Sequence, residues 1–205
     1  MIIKNIIFDW SGALSDDFTP VYKASMLVFK KLGKEPITAE EYRREFTLPY
    51  MVFWNRYFPK LTKEEADRLY GEAIYQVEEP TIYDGVKEEL ERLKSLGINM
   101  IVISSHPHKK LMKEAFHYGV QSLFQEINGS IHDKTETILD ILQRNNFNPQ
   151  QTMYVGDMTH DIDAGKKAGV VTVALGWGYQ PKDKLMESNP DHYIQDISDL
   201  DKLLK

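Results

Sequence analysis

Four short apolar runs, each cut off by a polar or glycine-containing turn, limit what this chain can become. "IIF" (6–8) ends at Asp9, "MIVI" (100–103) at Ser104, "MYV" (153–155) at Gly156 and "VVTVAL" (170–175) at Gly176. Unbroken runs of this length, rich in Val and Ile, suit strands that are buried on both faces. The intervening segments have helical periodicity. In "DGVKEELERLKSLG" (84–97), Val86, Leu90, Leu93 and Leu96 recur on one face before the stop at Gly97. "KTETILDILQRNN" (134–146) and "HDIDAGKKAG" (160–169) follow the same plan. Strands alternating with helices predict an α/β fold with a Rossmann-like parallel sheet.

Residues 16–80 interrupt that alternation. They contain "PVYKASMLVFKKLG", "TAEEYRREF" and "TKEEADRLYGEAIYQVEEP", and two of these open with Thr followed three residues later by Glu (Thr38 and Glu41, Thr62 and Glu65). That spacing is a capping box, in which each side chain satisfies a backbone N–H at a helix start. The expectation is an all-helical insertion over 16–80, with residues 1–15 and 81–205 forming the sheet domain. The aromatic stretch "LPYMVFWNRYF" (48–58) is expected to be the core of that insertion.

At 205 residues the chain can bury one sizeable core plus a small insertion. A net charge of −6 argues against a general nucleic-acid footprint. There is no cysteine, which excludes disulfides and thiolate metal sites and suits a reducing compartment. "MIIKNIIF" leads straight into the first strand without the pattern of a signal peptide, and no apolar segment approaches the roughly 20 residues of a membrane span. The expectation is a cytoplasmic protein with neither membrane nor nucleic acid as partner.

Ligands of open parallel sheets bind beyond the C-terminal ends of the strands. The four strand ends should therefore bring together Asp9, Ser104 and Asp157, with Asp161 just beyond and Lys134 within reach. Crowded carboxylates repel unless a cation lies between them. Hard oxygen ligands in a chain without cysteine favour Mg²⁺, which shares its coordination between carboxylates, waters and phosphate oxygens. Carboxylate, hydroxyl, lysine and metal together make a receptor for a phosphoryl group, whose transfer is helped by fixed positive charge. His106, His108, His132 and His160 lie near the expected mouth of this site, mainly as loop residues.

The segments "FDWSGAL", "IVISSHP", "HDKTETIL" and "YVGDMTHDIDAGKKAG" resemble, in order, the four motifs of the haloacid dehalogenase-like hydrolases. The layout is similar to the phosphoglycolate-phosphatase-like members, which carry a helical cap after the first motif. This resemblance implies a phosphoric monoester hydrolase acting on a small phosphorylated metabolite, with Mg²⁺ as cofactor. It implies Asp9 as the nucleophile that forms an aspartyl-phosphate. Ser104 would hydrogen-bond the phosphoryl group, helped by backbone N–H groups near Ser11, Gly12 and Ser105, and Lys134 would neutralise charge. Asp9, Asp157, Asp161 and the Ser11 backbone carbonyl would be the metal ligands, Asp161 either directly or through water. The cap would exclude water from the reaction.

Ser11 departs from the family pattern, in which phosphatases carry a second Asp that protonates the leaving oxygen and then activates water. A serine hydroxyl is far too weakly acidic for that work, whose loss costs about 10²- to 10⁴-fold in rate. Three alternatives stand at this point. The chain is a slow phosphatase or one that recruits another acid; it is phosphonatase-like, which needs a Schiff-base lysine among Lys30, Lys31 and Lys34; or it is an impaired relative that binds or regulates. On the first alternative, restoring Asp at position 11 is expected to raise turnover of esters with poor leaving groups.

Overall fold

The computed structural model describes residues 2–205. The four predicted strands are present as β1 (Asn5–Phe8), β4 (Asn99–Ile103), β6 (Thr152–Gly156) and β7 (Val171–Leu175). Two edge strands, β5 (Glu126–Asn128) and β8 (His192–Ile194), complete a six-stranded sheet in the order β5-β4-β1-β6-β7-β8. Every pairing in it is parallel. The chain builds outward from β1 in one direction through β4 and β5, then returns to the other side for β6 to β8. The point of reversal lies between β1 and β6, where open parallel sheets place their ligands.

Successive β1 residues point to opposite faces, as the pleat requires. Ile6 and Phe8 pack into the layer of α5 (Val86–Ser95) and α6 (His108–His117), with Val86, Leu90, Leu93 and Leu111. Ile7 packs against α7 (Lys134–Arg144) and α8 (Thr159–Ala168), with Ile138, Ile141 and Ala164. Both faces are covered, so the strands are apolar throughout, and the sheet lies between two helical layers. A short α9 (Lys182–Glu187) and α10 (Leu200–Leu203) finish the chain.

Between β1 and β4 the chain forms α1 (Phe18–Lys31), α2 (Ala39–Glu45), α3 (Tyr50–Tyr57) and α4 (Lys63–Ile74). The Thr38 box is complete: Oγ1 accepts from the Glu41 N–H at 3.1 Å, while the Glu41 carboxylate accepts from the Thr38 N–H at 2.8 Å. Thr62 accepts from the Glu65 N–H at 3.2 Å. These helices share an aromatic centre of Phe29, Tyr42, Phe53 and Trp54, all buried. The 48–58 aromatics thus supply the interior of the helical segment. Its two ends are joined by a feature that has no signature in the sequence: β2 (Ser15–Asp16) pairs antiparallel with β3 (Thr81–Ile82). No helix among the described residues is long and apolar enough to cross a membrane.

Candidate active site

Asp9 continues the β1 ladder by one residue, its N–H donating to the Val155 carbonyl at 2.9 Å, so a rigid strand delivers its carboxylate to the sheet edge. On the neighbouring strand, β6 delivers Asp157. The first turn of α8 turns Asp161 back towards both. Oxygens of Asp9, Asp157 and Asp161 lie within 4.8 Å of one another, and all three residues are buried. Glycine permits this crowding. A Cβ at Gly156 would stand 2.4 Å from the Asp161 Cβ, and one at Gly12 would stand 2.2 Å from Asp157 Oδ2. Gly12 also has φ of +73°, a left-handed backbone that suits glycine.

Lys134 opens α7, where the Asp133 side chain caps the helix by accepting from the Glu136 N–H. Its ammonium lies 2.6 Å from Asp161 Oδ1 and 3.0 Å from Asp9 Oδ1. Burial alone would lower the lysine pKa, but the charges of Asp161 and Asp9 more than offset it and hold the group protonated. Asp9 is under the opposite pressure: burial pushes it up to about 7 despite Lys134, with the Asp161 charge adding to the rise. Asp157 is raised well above the usual carboxylate range by burial and then by the charges of Asp161 and Asp9.

The three carboxylates are not equally committed. Asp161 accepts from Lys134, from the Tyr154 hydroxyl at 2.9 Å and, through Oδ2, from the Met158 N–H at 3.1 Å. Asp157 Oδ2 accepts from the Tyr179 N–H at 2.6 Å, but its Oδ1 is buried with no hydrogen-bond partner. A buried carboxylate oxygen without a donor is strongly unfavourable and rare. A hard cation satisfies it, and the all-oxygen donor set fits one. The residues present therefore fit a divalent metal among Asp9, Asp157 and Asp161, with Asp157 offering the free oxygen.

Ser104 directly follows β4 and is buried; its Oγ accepts from the His106 N–H at 3.1 Å, which leaves the hydroxyl hydrogen available. Ser105 is exposed on the same turn. Gly12, expected to present its N–H to a phosphoryl group, donates that N–H to the Ser15 carbonyl and to Asp17 Oδ1, both at 3.0 Å. The other bonds of this turn converge on the Trp10 carbonyl, which accepts from Ala13, Leu14 and Ser15. Among the histidines, His108 and His132 are exposed, while half-buried His106 pairs with Glu114 at 3.2 Å. Glu114 also accepts from the Trp10 indole N–H at 2.8 Å. Lys31 pairs with Glu72 on the surface, Lys34 lies over the Tyr57 and Phe58 rings, and Lys30 is exposed, so a Schiff-base lysine gains no support.

Several site residues escaped sequence reasoning. Asp17 is one: its buried carboxylate accepts from the Ser11 hydroxyl, the Gly12 N–H and the Tyr179 hydroxyl. Burial raises its pKa, and the Ser11 hydrogen bond works against that rise. In the sequence Asp17 is merely the second acid of "SDDF", indistinguishable from a helix-start residue. Tyr179 is another. It lies in the loop "GWGYQP" after β7, its N–H on Asp157 and its ring among the aromatics of the helical segment, 5.3 Å from Phe18. The loop also clasps α2: the Gly178 and Tyr179 carbonyls accept from Arg43, and the Gln180 amide donates to the Phe46 carbonyl.

The order of strands reverses between β1 and β6, and three buried carboxylates and a lysine gather at that edge of an open parallel α/β sheet. Comparison with known proteins makes this specific. Residues 6–175 match the family model described as haloacid dehalogenase-like hydrolase, and the chain belongs to that family. A phosphoglycolate phosphatase of Synechococcus elongatus is 24% identical over 205 residues, covering 97% of this chain and 95% of the relative. A 5'-nucleotidase of Pseudomonas aeruginosa is 28% identical over 212 residues, covering 98% and 95%. Among solved structures, a haloacid dehalogenase-like hydrolase of Streptococcus pneumoniae superposes with a TM-score of 0.85 at 22% identity, covering 99% of each chain. That last likeness concerns the fold alone.

Proposed function

We propose that this chain is a Mg²⁺-dependent phosphoric monoester hydrolase that removes phosphate from a small cytoplasmic metabolite through an aspartyl-phosphate on Asp9. The observation that carries the reading is the buried group at the strand ends: Asp9 held 3.0 Å from Lys134, beside an Asp157 oxygen that has no partner. The phosphatase and nucleotidase names of the relatives support the same class of reaction. In this reading Asp9, Asp157 and the Ser11 carbonyl hold the metal, and Asp161 both helps and anchors Lys134. The metal would supply positive charge at the phosphoryl oxygens. Lys134 offsets charge on Asp9 and on the phosphoryl group, and Ser104 donates its hydroxyl hydrogen to a phosphoryl oxygen, with the Ser105 N–H beside it. Residues 16–80 act as a cap over a core of 1–15 and 81–205; Tyr179 and the Arg43 clasp close the seam against water.

The test is hydrolysis of 4-nitrophenyl phosphate with and without Mg²⁺, followed by a panel of phosphorylated metabolites. Turnover that needs the metal and falls at least about 10³-fold in Asp9→Asn is the expected result. A wild-type protein inert to every ester, with the metal present, overturns the proposal and favours a binding role.

A further inference from the structure

A serine at position 11 leaves the departing oxygen without a proton donor. In-line displacement puts that oxygen on the side of phosphorus opposite Asp9, outward from the sheet edge. The register pairs Phe8 with Val102, so Asp9 stands level with Ile103, and the turn carrying Ser104 and His106 lies beyond it. His106 is pinned in that turn from three directions. Its N–H donates to Ser104 Oγ at 3.1 Å, its carbonyl accepts from the Ser130 N–H at 2.7 Å, and its Nε2 donates to Glu114 Oε1 at 3.2 Å. Asp17, which accepts from the Ser11 hydroxyl, feels the ring as well: burial raises its pKa, and the Ser11 bond and then the charge of His106 oppose that rise. The imidazole thus stands on the Ser104 turn, within electrostatic range of the turn that follows the nucleophile.

The partner of that imidazole is itself held firmly. Glu114 is 8% exposed on α6, and its Oε2 accepts from the indole N–H of Trp10, the residue after Asp9, at 2.8 Å. The Trp10 ring stacks on Tyr118 at 5.7 Å, which fixes where the indole points. Burial works to neutralise Glu114, but the bond and charge of His106, the Trp10 N–H and Lys110 more than offset it. A histidine that donates one N–H to a carboxylate holds its other nitrogen in a set direction. Here that nitrogen is Nδ1, which bonds to no described residue and is open to solvent. A brace between α6 and Trp10 accounts for Glu114, since the indole bond alone supplies it. It does not account for a histidine with an open nitrogen on the phosphoryl-binding turn.

Resting on the phosphatase reading, we propose that His106 is the general acid and base for the leaving group, with Glu114 as its positioning residue. In the first half-reaction Asp9 bonds to phosphorus as the phosphorus–oxygen ester bond breaks, and the leaving oxygen takes the Nδ1 proton of the His106 imidazolium. The products are the neutral alcohol, the aspartyl-phosphate and a neutral imidazole. In the second half-reaction water bonds to phosphorus and gives a proton to Nδ1 as the aspartyl–phosphorus bond breaks. Inorganic phosphate leaves, and Asp9 and the imidazolium are regenerated. The charged groups around the ring are Glu114 and Lys110 from α6 and Asp17 ahead of α1.

The experiment compares 4-nitrophenyl phosphate, an ester that needs little protonation, with the alkyl phosphate turned over fastest in the metabolite panel, both with Mg²⁺. The readout is kcat/KM, which reports the first half-reaction, and circular dichroism and melting temperature verify the fold of each variant. His106→Gln is expected to lower the alkyl-ester value about 10²- to 10⁴-fold, the usual range for losing general acid–base assistance, and the 4-nitrophenyl phosphate value less than about tenfold. The wild-type alkyl-ester value should fall above neutral pH as imidazolium is lost, and His106→Gln should lose that fall. Glu114→Gln should lower the alkyl-ester value at least about tenfold and spare the other ester by comparison. Equal losses on both esters, no loss on the alkyl ester, or a pH dependence that persists in His106→Gln overturns the assignment of His106. No selective loss in Glu114→Gln overturns the positioning role of Glu114. A wild type that hydrolyses 4-nitrophenyl phosphate and no alkyl ester overturns this proposal and leaves the phosphatase reading intact, whereas one inert to every ester overturns both.

Discussion

At the sheet edge, Asp9, Asp17, Lys134, Asp157 and Asp161 are all at most 4% exposed, gathered where parallel strands end. In the helical segment the arrangement is reversed. Its centre is a stack of rings, with Phe29 4.9 Å from Tyr57 and Tyr42 5.0 Å from Phe53, while pairs such as Lys31–Glu72 and Lys63–Asp67 lie outside with their side chains about half exposed. Apolar burial is non-directional and tolerates many packings, so the segment gains stability from area. Buried charges gain only when partners meet at set distances, and otherwise they penalise the fold. The sheet edge thus gives up stability for a site, and the helical segment does not. Tyr179 joins the two regimes, with its ring in the aromatic cluster, its N–H on Asp157 and its hydroxyl on Asp17.

The comparison can be broken most sharply at Lys134. Lys134→Met leaves Asp9 and Asp161 buried without their cation, and in EDTA it is expected to lower the unfolding free energy by about 5 kcal/mol, the upper end for removing one partner of a buried charge pair. Urea midpoints read this, and Mg²⁺ should recover part of the loss. On the other side, Phe53→Ala empties the centre of the helical segment and should cost about 3 to 4 kcal/mol, without any dependence on Mg²⁺. Equal metal sensitivity in the two variants would erase the distinction drawn here.

A smaller effect is expected at Glu114, a buried carboxylate away from the Asp9 group. Burial raises the pKa of Glu114, but the hydrogen bond and charge of His106, the Trp10 N–H and Lys110 more than offset it, leaving the group below its ordinary value. A carboxylate depressed on folding contributes stability that is present above its unfolded pKa and lost as pH falls through the folded one. Wild type should therefore exceed Glu114→Gln in melting temperature at pH 7, and the gap should close towards pH 3. A gap that persists unchanged at pH 3 would assign the effect to shape instead of charge.

Four of the six sheet strands were legible because each is a continuous apolar run ending in a polar turn. β5 and β8 were not, because three-residue edge strands such as "EIN" and "HYI" bury too little to leave a pattern. The helix starts at Thr38 and Thr62 were legible because an N-cap threonine is local chemistry written over four residues; the reciprocal bond of a full capping box forms at Thr38 and not at Thr62. Asp9, Ser104, Lys134, Asp157 and Asp161 were identifiable by their position after strands and by motif order. Their unequal commitments, such as the three donors on Asp161 and the unpartnered oxygen on Asp157, were not.

What the sequence determined by itself is the period: apolar runs that must be sandwiched, helical faces that must cover them, and acids at strand ends that must converge wherever a parallel sheet reverses direction. What only the tertiary structure decided is which polar groups face one another there. Asp17 and Ser11 are six residues apart, and Tyr179 is 162 residues from Asp17, yet the three share hydrogen bonds. Hydrophobic periodicity is a property of one segment, whereas a hydrogen bond needs two atoms placed to within tenths of an ångström, and that placement is set by the packing of the whole chain.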